Sequence, residues 1–355
     1  MKIGMDAYYL NKPKTSMGIF QYNILKNIIK KNDLELYIFT DAIPEDFKDY
    51  NNAHFFTSNS NIIERNIHMR KILNKISINV FYATFNIIPV LSNKKFKIVL
   101  QNHDWSHGIY SEGFTEKLGG YFYKFLHKYS CIKSNINIAN SQFTSKETKK
   151  YTNKDSIVIY HDADPFYKDR ASKIIRPELN IPEKYILYVG RVYPKYKNIS
   201  SLLYAYYKVK KNVDNLSLII VHSDNFRAND MEYISKNNLN IIDLKSLSKE
   251  NVKYLYEHAF ITIYPSLYEG FGYPIIEAQS SGSPTIISNH GPMPEVGGDA
   301  SIYFDGTYSD LYNKIIYVLK NPDIRQNLIE MGYKNVKRFN WNDTAGKTLE
   351  VILNA

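Results

Sequence analysis

The sequence predicts an α/β protein built as two doubly wound domains, each a parallel sheet with helices on both faces. Three observations predict it. The chain has 355 residues, and domains usually run about 100–200 residues, so two is the natural number. Short runs rich in Ile, Val, Tyr and Phe alternate throughout with longer segments of helical apolar spacing, the pattern of parallel strands joined by crossover helices. That alternation lapses between 164 and 182, where Pro165, Pro177 and Pro182 fall among several charges.

The strands are expected at 2–6, 36–40, 80–84, 97–102, 136–140 and 157–161, and after the lapse at 185–189, 218–221, 241–244, 261–265 and 285–288. The lapse reads as a linker. It divides the chain into a first domain at 1–170 and a second at 171–340, with a last helix at 341–355 that packs back on the first. In parallel sheets a ligand sits beyond the carboxyl ends of the strands, where the strand order reverses. Two such Rossmann-like domains, their sheets facing across a cleft, would offer loops from both.

Composition narrows the function. Hydrophobic residues make up 44 % and charged residues 23 % of the chain, enough for two sizeable cores. The single cysteine, Cys131, excludes a disulfide framework or a cysteine-based zinc site within the chain and reads as a buried, inert thiol. The first residues lack a basic stretch followed by an apolar run, and no 18 consecutive residues are apolar. A cytoplasmic protein, attached to a membrane at most by its surface, is expected. Net charge is +10, and residues 1–170 hold 24 Lys and Arg against 16 Asp and Glu. A basic first half suits nucleic acid, an anionic membrane or an anionic substrate. No nucleic-acid module is recognisable, so a nucleic-acid-binding protein is the non-enzymatic alternative and nucleic acid is not an expected partner.

Residues 117–129 form one helix by spacing. Leu118, Tyr121, Phe122, Phe125, Leu126 and Tyr129 recur at helical intervals, with Lys117, Lys124 and Lys128 off the stripe. The expectation is a core-facing helix with a solvated back. The alternative is a basic amphipathic helix lying on a membrane. Residues 61–76, with Arg65, Arg70, Lys71 and Lys75, are a second basic candidate.

The chemistry concentrates in two segments of the second domain. The first runs Val189-Gly190-Arg191-Val192-Tyr193-Pro194-Lys195-Tyr196-Lys197-Asn198, from a strand end into a helix. Gly190 lets the chain turn. Arg191 and Lys197 bracket the loop, and two cations beside a helix N-terminus make a diphosphate cradle. The second runs from Tyr264 through Glu269-Gly270-Phe271-Gly272-Tyr273-Pro274-Ile275-Ile276-Glu277. Here Gly270 and Gly272 let backbone N–H groups approach a ligand, Pro274 suits a first helical turn, and the glutamates suit sugar and ribose hydroxyls.

That second segment resembles the signature of glycosyltransferase family 4, retaining enzymes of the GT-B fold, in which two glutamates stand inside E-G-F-G-x-P-x-x-E. The likeness continues through 278–288 and through Met293-Pro294-Glu295-Val296. It implies that Glu269 and the amides of Gly270, Phe271 and Gly272 touch the donor sugar, that Glu277 binds the ribose, and that Arg191 and Lys197 hold the diphosphate. Lys195 competes with Lys197 for that role; Lys197 is preferred because it directly precedes Asn198. In the first domain, His103-Asp104 resembles the family's strand end facing the reacting sugar. Gly18 resembles its N-terminal glycine loop near the donor phosphates, and Asn140-Ser141 a recurrent structural position. One departure is His222, where many members end a strand in glycine.

The resemblance implies transfer with retention from a nucleotide diphosphate sugar, GDP-mannose by preference and UDP-sugars as the alternative. The acceptor implied is a lipid-linked glycan of surface-polysaccharide assembly, O-antigen or capsule, with an anionic membrane surface as partner. Sugar-nucleotide epimerases and phosphorylases of the same architecture are the rival enzymes. No metal or cofactor is expected. Asp162 and Asp164 have D-x-D spacing, and His103 and His107 stand four apart, but the cations Arg191 and Lys197 already suit the diphosphate, and Gly108 argues against a helix presenting both histidines.

Overall fold

The computed structural model describes residues 1–12, 15–58, 62–88, 96–106, 114–169 and 181–355. The chain forms two compact units. One comprises Met1–Asp162 with Phe339–Ala355, the other Ala163–Arg338.

The first unit holds a seven-stranded sheet: β1 (Lys2–Asp6), β2 (Glu35–Thr40), β3 (Ala53–Thr57), β4 (Val80–Ala83), β5 (Lys97–Asn102), β6 (Ile136–Ala139) and β7 (Ile157–Val158). Every pairing is parallel and the order is β3-β2-β1-β4-β5-β6-β7. Its helices are α1 (Ser16–Ile28), α2 (Ile62–Leu73), α3 (Phe114–Lys133) and α4 (Gln142–Thr152). The central strands are buried on both faces, so they read as continuous apolar runs. Phe39, Phe81, Leu73 and Trp105 centre one core, and each such side chain contributes about 1.5–3 kcal/mol on burial. Thr15 caps α1 by accepting from Gly18 N at 3.0 Å, and Ser141 caps α4 by accepting from Thr144 N at 3.0 Å.

The second unit holds β8 (Tyr185–Val189), β9 (Ser217–His222), β10 (Ile241–Lys245), β11 (Ile261–Tyr264), β12 (Thr285–Ser288) and β13 (Ser301–Phe304). They too are all parallel, in the order β10-β9-β8-β11-β12-β13. Helices α5 (Pro165–Lys168), α6 (Ile199–Lys210), α7 (Ala228–Lys236), α8 (Lys249–His258), α9 (Tyr273–Ser280), α10 (Met293–Gly297), α11 (Tyr308–Lys320) and α12 (Pro322–Asn335) accompany them.

The border falls after Asp162 rather than at 170, because the following turn is tied to the second unit. Asp164 caps α5, accepting from Phe166 N at 3.1 Å, and forms an ion pair with Lys249 of α8. Tyr167 enters the core beside Tyr256, ring centroids 5.8 Å apart. The rest of the linker segment, 170–180 with Pro177, lies outside the described residues. The chain re-enters the first unit at Phe339, whose ring meets Tyr160 at 6.0 Å. Helix α13 (Trp341–Leu353) packs against α1, and Thr344 Oγ1 donates to Tyr160 O at 2.7 Å.

Helix α3 is turned over relative to the expectation of a core-facing apolar stripe. Leu118, Tyr121, Phe122, Phe125 and Tyr129 are exposed, whereas Gly120, His127, Ser130 and Cys131 are buried. Hydrogen bonding gives the reason. Asn102 donates its amide to Asn137 Oδ1 and Ile138 O, which leaves its buried Oδ1 needing donors. His127 Nε2 donates to it at 2.8 Å and Cys131 Sγ at 3.0 Å, and the His127 ring stacks on Trp105 at 3.8 Å. The polar face of the helix therefore turns inward. The second basic candidate lies mostly on α2; residue 61 is outside the described residues.

Candidate active site

The strand order of the second unit reverses between β8 and β11, neighbours in the sheet whose chains leave in opposite directions. The loops after these two strands therefore diverge and leave a crevice at their carboxyl ends. The two loops are the segments singled out by sequence.

After β8, Gly190 turns the chain at φ +151°. Lys195–Lys197 form a single 3₁₀ turn, and Asn198, left-handed at φ +56°, starts α6. Asn198 Nδ2 donates to Gly306 O at 2.9 Å and fixes that corner. The geometry separates the two competing lysines. Lys195 is exposed, while Lys197 is buried and its Nζ lies 2.5 Å from Glu269 Oε1.

After β11, the chain passes Glu269 and reaches Gly272 at φ +118°, where a Cβ would stand 3.1 Å from Ile275 Cδ1. Only glycine takes that turn without strain. Helix α9 begins at once, with Pro274 in its first turn. Gly270, Phe271 and Gly272 thus lead straight into a helix N-terminus, whose dipole favours an anion. Leu267 N donates to Tyr196 O at 2.7 Å, tying the two loops together. Glu269 Oε1 also accepts from Tyr264 Oη at 2.8 Å. Both donors reach the same carboxylate oxygen.

Glu277 sits on α9, partly buried. Desolvation, then the charge of Asp164, pushes its carboxyl up to about 7, and Tyr256 Oη approaches Oε2 at 3.4 Å. Arg191 is exposed and turned to Asp224, Nε to Oδ2 at 3.3 Å. The structure therefore joins Lys197 to Glu269, while Arg191 and Glu277 hold other partners.

In the first unit the strand order reverses between β1 and β4. His103 follows β5, buried, with its backbone N donating to Asn86 Oδ1 at 2.8 Å and its ring edge against Phe20 at 5.0 Å. Nε2 faces the Thr84 carbonyl at 2.7 Å, which only accepts, so Nε2 carries the proton and Nδ1 is the acceptor. Burial lowers the ring to about 4, and it is neutral near pH 7. Gly18 lies in the first turn of α1, where a Cβ would stand 2.0 Å from Lys12 O; that close approach explains the glycine sterically. Asn140 Nδ2 donates to His103 O at 3.0 Å. Among the described residues no cluster of three or more metal-ligating side chains occurs, and His107 lies outside them.

Sequence reasoning missed Asp224 and marked His222 only as a departure, without its partners. Asp224 accepts from Val192 N at 2.8 Å and Tyr193 N at 3.1 Å besides Arg191, and so shapes the β8 loop. His222 ends β9 with Nδ1 on Asp224 O and Nε2 on Asp243 Oδ1, both at 2.6 Å. The signal was the histidine at a strand end where glycine is usual. Tyr264 gave no signal beyond its place before the loop.

Known proteins resemble the chain in sequence and in fold. Residues 171–335 match the model of the family described as glycosyl transferases group 1. O-antigen chain mannosyltransferase B of Escherichia coli is 32 % identical over 170 residues, 46 % of this chain and 44 % of that protein. O-antigen chain mannosyltransferase RfbU of Salmonella typhimurium is 31 % identical over 235 residues, 62 % of this chain and 59 % of that protein. The chain thus spans about half the length of these curated relatives. HepE of Anabaena, solved in complex with UDP-glucose, superposes with a TM-score of 0.76 at 16 % identity, covering 99 % of this chain and 100 % of that one; this likeness concerns the fold. The two parallel-sheet units have the GT-B architecture, and within the second unit residues 171–335 are similar to the group 1 glycosyl transferases.

Proposed function

We propose that the chain transfers a sugar with retention from a nucleotide diphosphate donor, GDP-mannose by preference, to a lipid-linked glycan in surface-polysaccharide synthesis, O-antigen or capsule. The observation that carries the reading is the buried Lys197–Glu269 pair at the reversal point of the second sheet. The relatives named as O-antigen mannosyltransferases support the sugar and the context. The UDP-glucose held by a protein of the same fold keeps UDP-sugars as the alternative.

In this reading the diphosphate lies at the α9 N-terminus. Lys197 and Arg191, released from Asp224, stabilise the charge that develops on it as the C1–O bond breaks, a preorganised electrostatic effect. Glu269 and the amides of Gly270, Phe271 and Gly272 hold the donor sugar, and Glu277 holds the ribose. The acceptor hydroxyl attacks from the leaving-group side and its proton passes to the departing phosphate oxygen. The first unit takes the acceptor, with Gly18 and His103 contributing there; His103 acts through Nδ1 as a hydrogen-bond acceptor. No metal is required, because Arg191 and Lys197 supply the counter-charge and Asp164 is engaged as a helix cap and ion-pair partner. The reaction takes place at the cytoplasmic face of the membrane.

A thermal-shift screen with GDP, UDP, dTDP and ADP tests the donor site, since a ligand of the folded state raises stability by mass action. A shift with GDP alone is expected. Transfer of radiolabelled mannose from GDP-mannose into membrane lipid then tests the reaction, and conversion of the donor into an epimeric sugar nucleotide without any acceptor would favour the epimerase reading. No shift with any nucleotide, together with no transfer from any donor, would sink the proposal.

A further inference from the structure

The outward face of α3 carries six large apolar side chains. Leu118 is 56 % exposed, Tyr121 62 %, Phe122 65 %, Phe125 64 %, Tyr129 37 % and Ile132 42 %. At about 100° per residue they fall in one stripe about 100° wide on a helix about 30 Å long. Scattered exposed hydrophobes are ordinary, but a contiguous stripe marks a docking surface. Its exposure is built in, because the opposite face is committed to Asn102 and Trp105.

Charge selects the occupant. Lys117, Lys124 and Lys128 run along one border of the stripe, and Lys133 lies beyond the other. Lys124 Nζ lies 3.9 Å from the Tyr151 ring centroid of α4, and Lys150 Nζ lies 5.3 Å from the same ring, so the basic border continues onto α4. There Lys146 and Lys149 are also exposed. Aromatic and aliphatic side chains bordered by lysines suit the boundary between acyl chains and anionic headgroups. Among the described residues no helix is long and apolar enough to cross a membrane, so such a helix lies in the plane. A second copy of the chain fits less well, since a two-fold pair of these stripes would bring lysine borders of like sign together.

We propose that α3 is a membrane-docking helix that lies in the surface of an anionic bilayer. The proposal deepens the reading above by naming the surface that meets the acceptor's lipid, and it rests on that reading only there. Binding and transfer are therefore measured separately.

The test is co-sedimentation of the full chain with vesicles of phosphatidylcholine, with and without phosphatidylglycerol. The expected result is binding to the anionic vesicles that weakens with salt. Phe122→Ser with Phe125→Ser should weaken it roughly tenfold or more, and Lys117→Glu with Lys128→Glu should do so only on anionic vesicles, by roughly fivefold or more for each charge. Thermal melting of each variant confirms that it is folded. Phe125→Trp supplies an independent readout, a blue shift of its emission on adding vesicles. Wild-type protein that ignores both vesicles, or serine variants that bind as wild type does, would overturn the proposal. So would a wild-type dimer that the serine variants convert to monomer without any vesicle binding. If transfer to a soluble acceptor fails while vesicle binding holds, the enzymatic reading falls and this one stands.

Discussion

Lys197 and Glu269, 72 positions apart in the chain, meet at 2.5 Å across the reversal point of the second sheet, with side chains only 10 % and 15 % exposed. Removing one partner leaves the other charge partly buried and unpaired. Lys197→Ala should reduce kcat by roughly a hundredfold or more, as loss of one transition-state cation does, and should lower stability by about 2–3 kcal/mol. Lys195→Ala should change either quantity little, because that side chain is exposed. Steady-state transfer rates and urea unfolding check both. Equal losses in the two variants would contradict the assignment of the loop.

Glu269→Gln keeps the shape of the side chain and removes its charge. Combined with Lys197→Met it should recover most of the stability lost in Lys197→Ala while leaving transfer abolished. A double-mutant cycle in urea measures the coupling. Coupling near zero would mean that the pair adds nothing to the fold.

Asp224 shapes the diphosphate loop through two backbone N–H groups. Asp224→Ala should cost about 1–3 kcal/mol, the usual penalty for stranding such donors, and should weaken nucleotide binding roughly tenfold through the loosened loop. Calorimetric titration with the preferred nucleotide reads the second effect. Unchanged affinity would leave Asp224 a purely structural residue.

The Glu277 carboxyl is raised to about 7 in the folded chain. Because the folded value lies above the unfolded one, its stabilising contribution is complete below the unfolded value and is lost as pH rises through about 7. Glu277→Gln should therefore match wild type near pH 4 and exceed it by about 3 kcal/mol above pH 8. The same variant should bind nucleotide more weakly. Asp6, raised to about 7 by burial, tilts the wild-type curve the same way, so the comparison with the variant isolates Glu277. A stability difference independent of pH would refute the assignment.

Cys131 is fully buried on the inward face of α3, and burial pushes its thiol well up. An aromatic disulfide reagent should label the native chain only at the rate of opening and the urea-unfolded chain at once. Fast labelling without denaturant would show that α3 detaches readily.

Much of this was legible in the sequence. Strands β1, β5, β8 and β12 coincide with the expected runs, because each carries a short apolar run that the sheet buries on both faces, and polar or turn residues mark its ends. The two strands that went unread, β3 and β13, are the sheet edges opposite β7 and β10. β3 is only half-buried and alternates poorly, so nothing in Ala-His-Phe-Phe-Thr demands a strand until β2 offers it partners. The glycine loop of 269–277 was legible because its turn and helix start are local. Asp224 was not, because its partners at 191–193 are 31–33 residues away in sequence and meet it only once β8 and β9 pair. Helix α3 was read at the right place with the wrong face inward: periodicity reports that a stripe exists, and the unmet hydrogen bond at Asn102 decides which way it turns.

The return of α13 to α1 bears on how the chain is made. A ribosome delivers the whole of 163–338 before the helix that completes the first unit emerges. The first sheet must therefore wait, with the α1 surface uncovered, while the second unit has all its residues and is free to fold. Buried Trp341, beside Phe20 and His161, reports the moment that vigil ends. Nascent chains stalled before 341 should recruit chaperones that full-length chains release.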